Sequence, residues 1–209
     1  MIYIRLWVQN IAYSGIMEIV TNIGNIETKK ELRCRAKDLL NGITTENRQI
    51  SSQKIAIQLI TSSIFHKSRA IACYLPIDNE VETPGIIEAI WQNNKQCYLP
   101  AITPNQKMVF VEFQPNDLLI SKKYQVLEPS IIEDRIIAAT DLDLVIIPLL
   151  GFNTNFFRLG RGIGYYDRAF AFKKLGAQKP YLLGIGHQTQ LLNFEPNDWD
   201  VPMDSVMAA

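Results

Sequence analysis

The chain has 209 residues, of which 47% are apolar and 20% charged, a balance typical of one α/β domain with a full core. Its formal net charge is zero, which argues against a general nucleic-acid surface, because such a surface needs a clear basic excess. The three cysteines lie far apart and form no C-x-x-C pair, so we expect neither a disulfide framework nor a zinc site, but a cytoplasmic protein with free thiols.

The first 27 residues are mildly apolar but interrupted by polar side chains such as Arg5 and Glu18. They lack the basic start and unbroken apolar run of a signal peptide. No stretch of 18 apolar residues occurs, so no membrane-spanning helix is expected either. We therefore predict an N-terminal extension of unknown role over residues 1–27, followed by a single domain over residues 28–209.

Two helices are predicted first. Thr28 and Glu31 form a Thr-x-x-Glu capping box, and Asn41-Gly42 is a typical helix end. Thr44 or Thr45 then begins a longer helix. Its core face is predicted from isoleucines at helical spacing, namely Ile50, Ile57, Ile60 and Ile64.

Short apolar strands and helices alternate over the rest of the chain. "AIACYLP" and "QCYLP" predict strands that each end at a proline, and "LDLVIIPLLGF" and "YLLGIG" predict two more. Helices are predicted from Thr83-Pro84 and over "YYDRAFAFKKLG", and "MVFVEF" suits a smaller antiparallel element. We predict a three-layer α/β/α fold with a mostly parallel central sheet and a small antiparallel element. Ligands then bind at the carboxyl ends of the strands.

The stretch "RLGRGIGYYDRAF" predicts a phosphate site. Gly160, Gly162 and Gly164 leave the backbone bare before a helix, which favours close approach of an anion. Three arginines, Arg158, Arg161 and Arg168, add guanidinium groups suited to phosphate oxygens. The spacing is neither that of a P-loop nor that of the dinucleotide fingerprint. A tight turn with solvated arginines is the alternative.

Asp167 follows the glycines and indicates a cation. A bare carboxylate beside a phosphate site would repel the phosphate, whereas Mg²⁺ takes one or two carboxylates together with phosphate oxygens and water. Helix capping by Asp167 is the alternative.

The segment "IIPLLGFNTNFFRLGRGIGYYDRAF" resembles the signature of the 5-formyltetrahydrofolate cyclo-ligase family. Shorter segments follow in the family's order, so that the resemblance covers roughly residues 28–206: "KKELR", "YLPIDNEVET", "YLP", "LEP" and "DVPMD". The resemblance implies a three-layer α/β domain, Mg²⁺, and ATP-dependent ring closure of 5-formyltetrahydrofolate to 5,10-methenyltetrahydrofolate, with ADP and phosphate as co-products. The implied partners are ATP and the folate, with no nucleic acid or membrane, and the protein is expected to be a monomer.

The resemblance also implies the site residues. The ATP site would comprise Lys29, Lys30, Glu31, Leu32, Arg33, Arg158, Leu159, Gly160, Arg161, Gly162, Ile163, Gly164, Tyr165 and Tyr166. The folate site would comprise Ile77, Glu82, Arg161, Gly162, Ile163, Gly164 and Tyr165. Arg161 and Tyr165 would be catalytic, and Asp167 and Asp200 would hold Mg²⁺.

Several of these residues have simpler explanations. Lys29 and Arg33 could form a solvated basic helix face, Glu82 could cap the next helix, and His187 could be structural or an acid–base group. Ile163 stands where the family usually has glycine or lysine, and Asn153 replaces a common aspartate. The alternative functions are a non-catalytic folate- or nucleotide-binding module and, in third place, a sugar-phosphate isomerase or acyl-CoA enzyme.

Overall fold

The computed structural model describes residues 27–122 and 126–209, in which helices and strands alternate as predicted. Except for Glu27, the predicted N-terminal extension lies outside the described residues. The helices are α1 (Lys29–Asn41), α2 (Thr45–Ile60), α3 (Ser63–Lys67), α4 (Pro84–Gln92) and α5 (Tyr165–Ala169). Within the described part of the chain, no helix has the length and apolar character needed to cross a membrane.

Helix α1 begins and ends where the sequence predicts. The Thr28 hydroxyl accepts a hydrogen bond from the Glu31 backbone N–H at 3.3 Å, and the Glu31 carboxylate accepts one from the Thr28 N–H at 2.8 Å. The helix stops at Gly42, whose N–H donates to the Asp38 carbonyl. Leu32, just inside the helix, is buried against the rest of the protein. The capping box is therefore confirmed.

The predicted core face of α2 is confirmed only in part, because Ile60 and, in α3, Ile64 pack against the core but Ile50 and Ile57 do not. Ile50 and Ile57 are 43% and 64% exposed, and the buried positions of the helix are instead Ser51, Ser52, Ile55 and Leu59. The Ser51 hydroxyl oxygen lies 2.7 Å from Nδ1 of His187, so this buried hydroxyl has a hydrogen-bond partner. Because both buried serines find hydrogen-bond partners, the helix can turn a partly polar face inward and leave isoleucines in solvent.

A seven-stranded sheet forms the centre of the fold. Its strands are β1 (Ala70–Ala72), β2 (Gln96–Ile102), β3 (Met108–Glu112), β6 (Ile136–Ile137), β7 (Leu144–Ile147), β10 (Tyr181–Gly186) and β11 (Ser205–Ala208). The strand order is β11-β10-β7-β1-β2-β3-β6, and the first five strands in this order are parallel. Two small antiparallel pairs are separate from it: β4 (Leu119–Ser121) with β5 (Leu127–Pro129), and β8 (Gly151–Phe152) with β9 (Arg158–Leu159).

Two details of the predicted strands need correction. Neither of the first two strands ends at its proline: β1 stops at Ala72, before Pro76, and β2 continues through Pro100 to Ile102, with Pro100 opposite Phe110 of β3. The "MVFVEF" strand, β3, is antiparallel as predicted but belongs to the main sheet rather than to a separate element. Near this edge the sheet therefore changes from parallel to antiparallel. The part of β2 that extends beyond β1 pairs with β3.

The sheet is covered on both faces. Leu144 and Ile146 of β7 pack into a core with α2, α3 and α4, whereas Val145 and Ile147 pack into a second core that includes Phe170, directly after α5. Alternate residues of one strand are thus buried on opposite sides, which explains why the strands are apolar throughout. The predicted three-layer arrangement is confirmed.

The predicted helix over "YYDRAFAFKKLG" is interrupted. α5 ends at Ala169, and a 3₁₀ helix over Ala171–Leu175 continues to Gly176. Phe170, at the junction, is 1% exposed and packs against Phe110 and Phe172. The junction therefore directs this aromatic ring into the core.

Candidate active site

A cavity of about 980 Å³ lies where β1, β2 and β7 end. Its walls include Tyr74 and Leu75 after β1, Ile102 at the end of β2, and Pro148 after β7. The carboxyl ends of parallel strands are the usual ligand position in such sheets, and the predicted glycine stretch also lines this cavity.

The glycine loop, residues 158–164, adopts backbone conformations that require glycine. Gly162 has φ +99° and Gly164 has φ +74°, both in the left-handed region. A Cβ atom on Gly162 would lie 3.3 Å from the Arg33 guanidinium, so the arginine packs directly beneath the loop. Arg33 Nε also donates to the Gly160 carbonyl at 3.0 Å. The loop is therefore held by α1 while its bare backbone borders the cavity.

The predicted phosphate cations and the predicted metal carboxylates lie side by side in this cavity. Asp167 Oδ2 is 2.8 Å from Arg158 Nη2, and Asp200 Oδ2 is 2.6 Å from Lys29 Nζ. All four side chains line the cavity. Within residues 27–122 and 126–209, no cluster of three or more His, Cys, Asp or Glu residues could hold a metal by itself. Mg²⁺ bound with a triphosphate needs only one or two carboxylates, so Asp167 and Asp200 fit it.

Arg161 spans the cavity and reaches the loop that follows β1. Its guanidinium is 3.0 Å from Asp78 Oδ2 and 2.9 Å from Glu80 Oε1. Glu80 is 4% exposed, and its Oε2 accepts a hydrogen bond from the Ile77 N–H at 3.0 Å. Burial raises the pKa of Glu80, while the charge of Arg161 lowers it in part. The structure thus joins the predicted phosphate loop to the predicted folate loop, residues 77–82.

The structure does not bring Glu82 to the cavity wall, contrary to the position expected for it. The Glu82 carboxylate lies 3.2 Å from Arg48 Nε on α2, although the two groups are not aligned for a hydrogen bond. The N–H of Glu82 donates to Ser52, and the N-cap of α4 has no side-chain hydrogen bond. Glu80, two residues earlier, lines the cavity in its place.

Three residues predicted for the ATP site also point elsewhere. Lys30 is exposed, Glu31 caps α1, and Leu32 lies in the small core beneath that helix. The other residues predicted for the ATP and folate sites, together with both metal carboxylates, line the cavity: Lys29, Arg33, Ile77, Arg158, Leu159, Gly160, Arg161, Gly162, Ile163, Gly164, Tyr165, Tyr166, Asp167 and Asp200.

The two tyrosines after the glycines differ in their surroundings. The Tyr165 hydroxyl donates to the Gln106 side chain at 2.8 Å and so connects the loop to the β2–β3 hairpin. The Tyr166 ring lies beneath Arg158, with the guanidinium carbon 4.9 Å from the ring centre, and burial raises the pKa of its hydroxyl. Tyr165 therefore has its polar end at the cavity, whereas Tyr166 supports Arg158 from below.

His187 has a structural environment away from the cavity. Its Nε2 lies 3.1 Å from the Asn79 carbonyl, which can only accept a hydrogen bond, so Nε2 carries the proton. In the neutral ring Nδ1 then accepts from Ser51, 2.7 Å away. Burial, with a smaller contribution from the charge of Arg48, lowers the pKa of His187. The residue thus fixes the chain next to Glu80, which agrees with the structural alternative.

We expect the lowered pKa of His187 to make stability depend on pH. The unfolded chain binds a proton near its ordinary pKa of 6.5, whereas the folded protein binds it only at lower pH. The free energy of unfolding should therefore fall as the pH drops below about 6.5, by at most about 1.4 kcal/mol per pH unit. Urea unfolding between pH 5 and 8 measures this. His187→Gln, whose amide can keep both hydrogen bonds, should lose this part of the dependence.

The matched control is His66→Gln, because His66 is exposed and is the chain's other histidine. The control variant should retain the pH dependence of the parent protein. Equal pH dependence in the His187 variant and the parent would show that the imidazole of His187 does not cause it.

Two acidic residues of the cavity were missed by the sequence analysis. Glu80 stands in the segment "YLPIDNEVET", in which the family resemblance implies Glu82 instead. Glu128 of β5 is 8% exposed, and its Oε2 accepts from the Ile102 N–H at 3.1 Å. The segment "LEP" was noted only as a match to a motif. A strand of three residues gives no periodicity from which burial of its central glutamate could be predicted.

Comparison with known proteins agrees with this geometry. A sequence model of the 5-formyltetrahydrofolate cyclo-ligase family matches residues 25–209. The chain is 29% identical to the Escherichia coli K12 5-formyltetrahydrofolate cyclo-ligase over 168 residues, covering 79% of this chain and 91% of that protein. The mouse cyclo-ligase is 28% identical over 190 residues, with 86% and 92% covered.

Solved structures show the same fold. The Aquifex aeolicus 5,10-methenyltetrahydrofolate synthetase superposes with a TM-score of 0.73 at 27% identity, covering 86% of this chain and 89% of that one. The Mycoplasma pneumoniae 5,10-methenyltetrahydrofolate synthetase gives a TM-score of 0.67 at 25% identity, with 85% and 96% covered.

Proposed function

The chain belongs to the 5-formyltetrahydrofolate cyclo-ligase family, and we propose that the cavity beside the glycine loop is where its two substrates meet. Members of this family convert 5-formyltetrahydrofolate to 5,10-methenyltetrahydrofolate at the expense of ATP, and the chain is accordingly an ATP-dependent ligase of folate one-carbon metabolism. The observation that carries the site assignment is the convergence of bare glycine backbone and four cationic side chains on one cavity.

We place the triphosphate of ATP against the glycine loop. The cations around it are Lys29 and Arg33 from α1, and Arg158 and Arg161 from the loop itself. Guanidinium groups bind phosphate oxygens through two parallel hydrogen bonds, and free backbone N–H groups add further donors. Lys30, Glu31 and Leu32 stay predicted ATP contacts, although none of them lines the cavity.

We place the folate between the loop after β1 and the apolar walls of β2 and β5. Ile77 lines this part, and Ile163, 57% exposed, offers apolar surface on the glycine-loop side. Arg161 lies between the two regions through its contact with Glu80, so it can touch both substrates. Glu82 stays a predicted folate contact, but the burial and cavity position of Glu80 support Glu80 better.

The reaction needs positioning and charge neutralisation more than covalent help from the protein. The 5-formyl oxygen attacks the γ-phosphorus of ATP and ADP leaves, which turns the formyl carbon into an activated imidate. N10 attacks that carbon and loses its proton, and phosphate then departs with the former formyl oxygen. In this scheme Arg161 stabilises the transferring phosphoryl group, and the Tyr165 hydroxyl, held by Gln106, borders the same region.

Asp167 and Asp200 are the residues that we propose to hold Mg²⁺. Both carboxylates line the cavity beside the proposed phosphate-binding cations. When the substrates bind, the carboxylates would contact Mg²⁺ in place of Arg158 and Lys29, and these two cations would contact the phosphates. Mg²⁺ bound there would neutralise charge on the β- and γ-phosphates during transfer. A single domain over residues 28–209, a monomeric state and a cytoplasmic location remain predictions from the sequence.

Purified protein with ATP, Mg²⁺ and 5-formyltetrahydrofolate tests the proposed function. The near-ultraviolet absorbance of the methenyl product should rise only when both substrates are present, and omission of ATP is the control. Tight folate binding without product would instead favour the non-catalytic binding module. Absence of both product formation and folate binding would contradict the assignment of this cavity as the folate site.

A further inference from the structure

Two buried carboxylates, Glu80 and Glu128, line the cavity, but they differ in how far their oxygens are engaged. Both oxygens of Glu80 are used, one by Arg161 and the other by the Ile77 N–H. Among the described residues, Glu128 engages Oε2 alone, which accepts from the Ile102 N–H. Among residues 27–122 and 126–209, no lysine, arginine or histidine forms an ion pair with Glu128.

A carboxylate that is 92% removed from solvent is costly unless hydrogen bonds or an opposite charge compensate it. One backbone N–H is small compensation, because a carboxylate can accept about four hydrogen bonds. Within residues 27–122 and 126–209, Oε1 of Glu128 accepts no hydrogen bond, and the residue lines the cavity. The group is therefore an acceptor prepared for donors that come from a ligand.

We propose that Glu128 binds the pterin ring of the folate by accepting hydrogen bonds from its 2-amino group and N3–H. This assignment rests on the proposed function. The two donors sit next to each other on one edge of the ring, and a carboxylate is the side chain that can accept from both. The lining contributed by the ends of β2, β4 and β5 includes the apolar residues Ile102, Ile120 and Leu127 beside the polar Lys122 and Ser130, and its apolar part suits the faces of a flat ring.

The chemistry of the substrate agrees with this orientation. The formyl group on N5 must approach the triphosphate at the glycine loop, and N5 lies on the ring edge away from N3 and the 2-amino group. The donor edge therefore points away from the phosphates when the formyl oxygen points toward them. Glu128 belongs to β5, an element separate from the glycine loop, and no arginine of the described segments pairs with it as Arg161 pairs with Glu80.

Glu128→Gln tests the proposal with little change in shape. The glutamine carbonyl can still accept from the Ile102 N–H, but the atom facing the ligand becomes an amide nitrogen that donates. We expect the dissociation constant of 5-formyltetrahydrofolate, measured without ATP, to rise about ten- to a hundredfold. The KM for ATP and the melting temperature should stay near those of the parent. Glu88→Gln is the matched control, because Glu88 is exposed on α4 and lies outside the cavity.

A substrate analogue identifies the ligand atoms. With 5-formyl-2-desamino-2-methyltetrahydrofolate, the parent protein should bind at least about tenfold more weakly than with the normal substrate. For the Glu128→Gln variant, replacing the substrate by the analogue should weaken binding much less, because the variant already lacks the carboxylate that accepts from the amino group. The measurement on the parent protein decides the matter even if the variant does not fold.

Three results would overturn the proposal. They are equal affinity of the parent for substrate and analogue, a loss of affinity for the analogue in the variant as large as that in the parent, and unchanged folate affinity in a folded variant. Failure of the proposed function looks different. A parent protein that discriminates between the two folates yet forms no methenyl product would contradict turnover while supporting the pterin contact. A parent that binds neither folate contradicts both.

Discussion

Excess chelator should reduce methenyl formation to the rate seen without protein. The triphosphate lies among Lys29, Arg33, Arg158 and Arg161 in our assignment, but Asp167 and Asp200 are close to the same cations. Without Mg²⁺ these carboxylates would repel the γ-phosphate instead of sharing an ion with it. Product absorbance with ATP and folate, recorded before and after chelation and again after Mg²⁺ is restored, measures the effect.

Asp167→Asn and Asp200→Asn locate the metal. Losing one charged ligand should cost about 1.5–3 kcal/mol, seen as a ten- to hundredfold rise in the Mg²⁺ concentration needed for ATP binding. Asp117→Asn is the control, since Asp117 also pairs with an arginine, Arg135, but away from the cavity. Melting temperatures must be compared, because Asp167 also neutralises the buried Arg158. Undiminished turnover in the presence of chelator would contradict the role of the metal.

Arg161→Ala should lower kcat/KM for ATP by about one to two decades, corresponding to about 1.5–3 kcal/mol for one charge-assisted contact. We expect a smaller effect on folate binding, because the folate keeps its apolar walls and its other polar contacts. The variant also leaves Glu80 buried without its cation, which should raise the already elevated pKa of this carboxyl further. Steady-state kinetics with each substrate varied in turn separate the two effects.

Arg135→Ala is the matched control for Arg161→Ala, because Arg135 also forms an ion pair but does not line the cavity. It should leave both kinetic constants unchanged. A decrease of less than threefold in kcat/KM for ATP in the Arg161 variant would argue against the assigned role, and so would equal increases in the dissociation constants of ATP and folate.

Features that depend on neighbours in the sequence could be predicted well. Thr28 and Glu31 cap each other across three residues, so α1 could be placed without knowledge of the fold. The glycine loop and the start of α5 at Tyr165 are likewise local. The apolar strands indicated a sheet covered on both faces, because burial on two sides leaves no position for a polar residue.

Features that depend on distant partners could not be predicted. The inward face of α2 includes Ser51, whose hydroxyl contacts His187, 136 residues away. Glu80 lies in a turn that begins at Asp78, and its carboxylate contacts Arg161, 81 residues away, whereas Glu82 contacts α2. Glu128 depends on the Ile102 N–H in the same way. None of these contacts leaves a pattern within its own segment.

The bridge from Arg161 to Asp78 and Glu80 also makes the two binding events thermodynamically dependent on each other. When a phosphate of ATP binds the Arg161 guanidinium, it weakens the contacts of Arg161 with Asp78 and Glu80. These two residues belong to the loop after β1, which borders the proposed folate site. If bound ATP changes the affinity for folate by some factor, bound folate changes the affinity for ATP by the same factor, because thermodynamic linkage is reciprocal. The order in which the substrates arrive then changes rates but not the stability of the ternary complex.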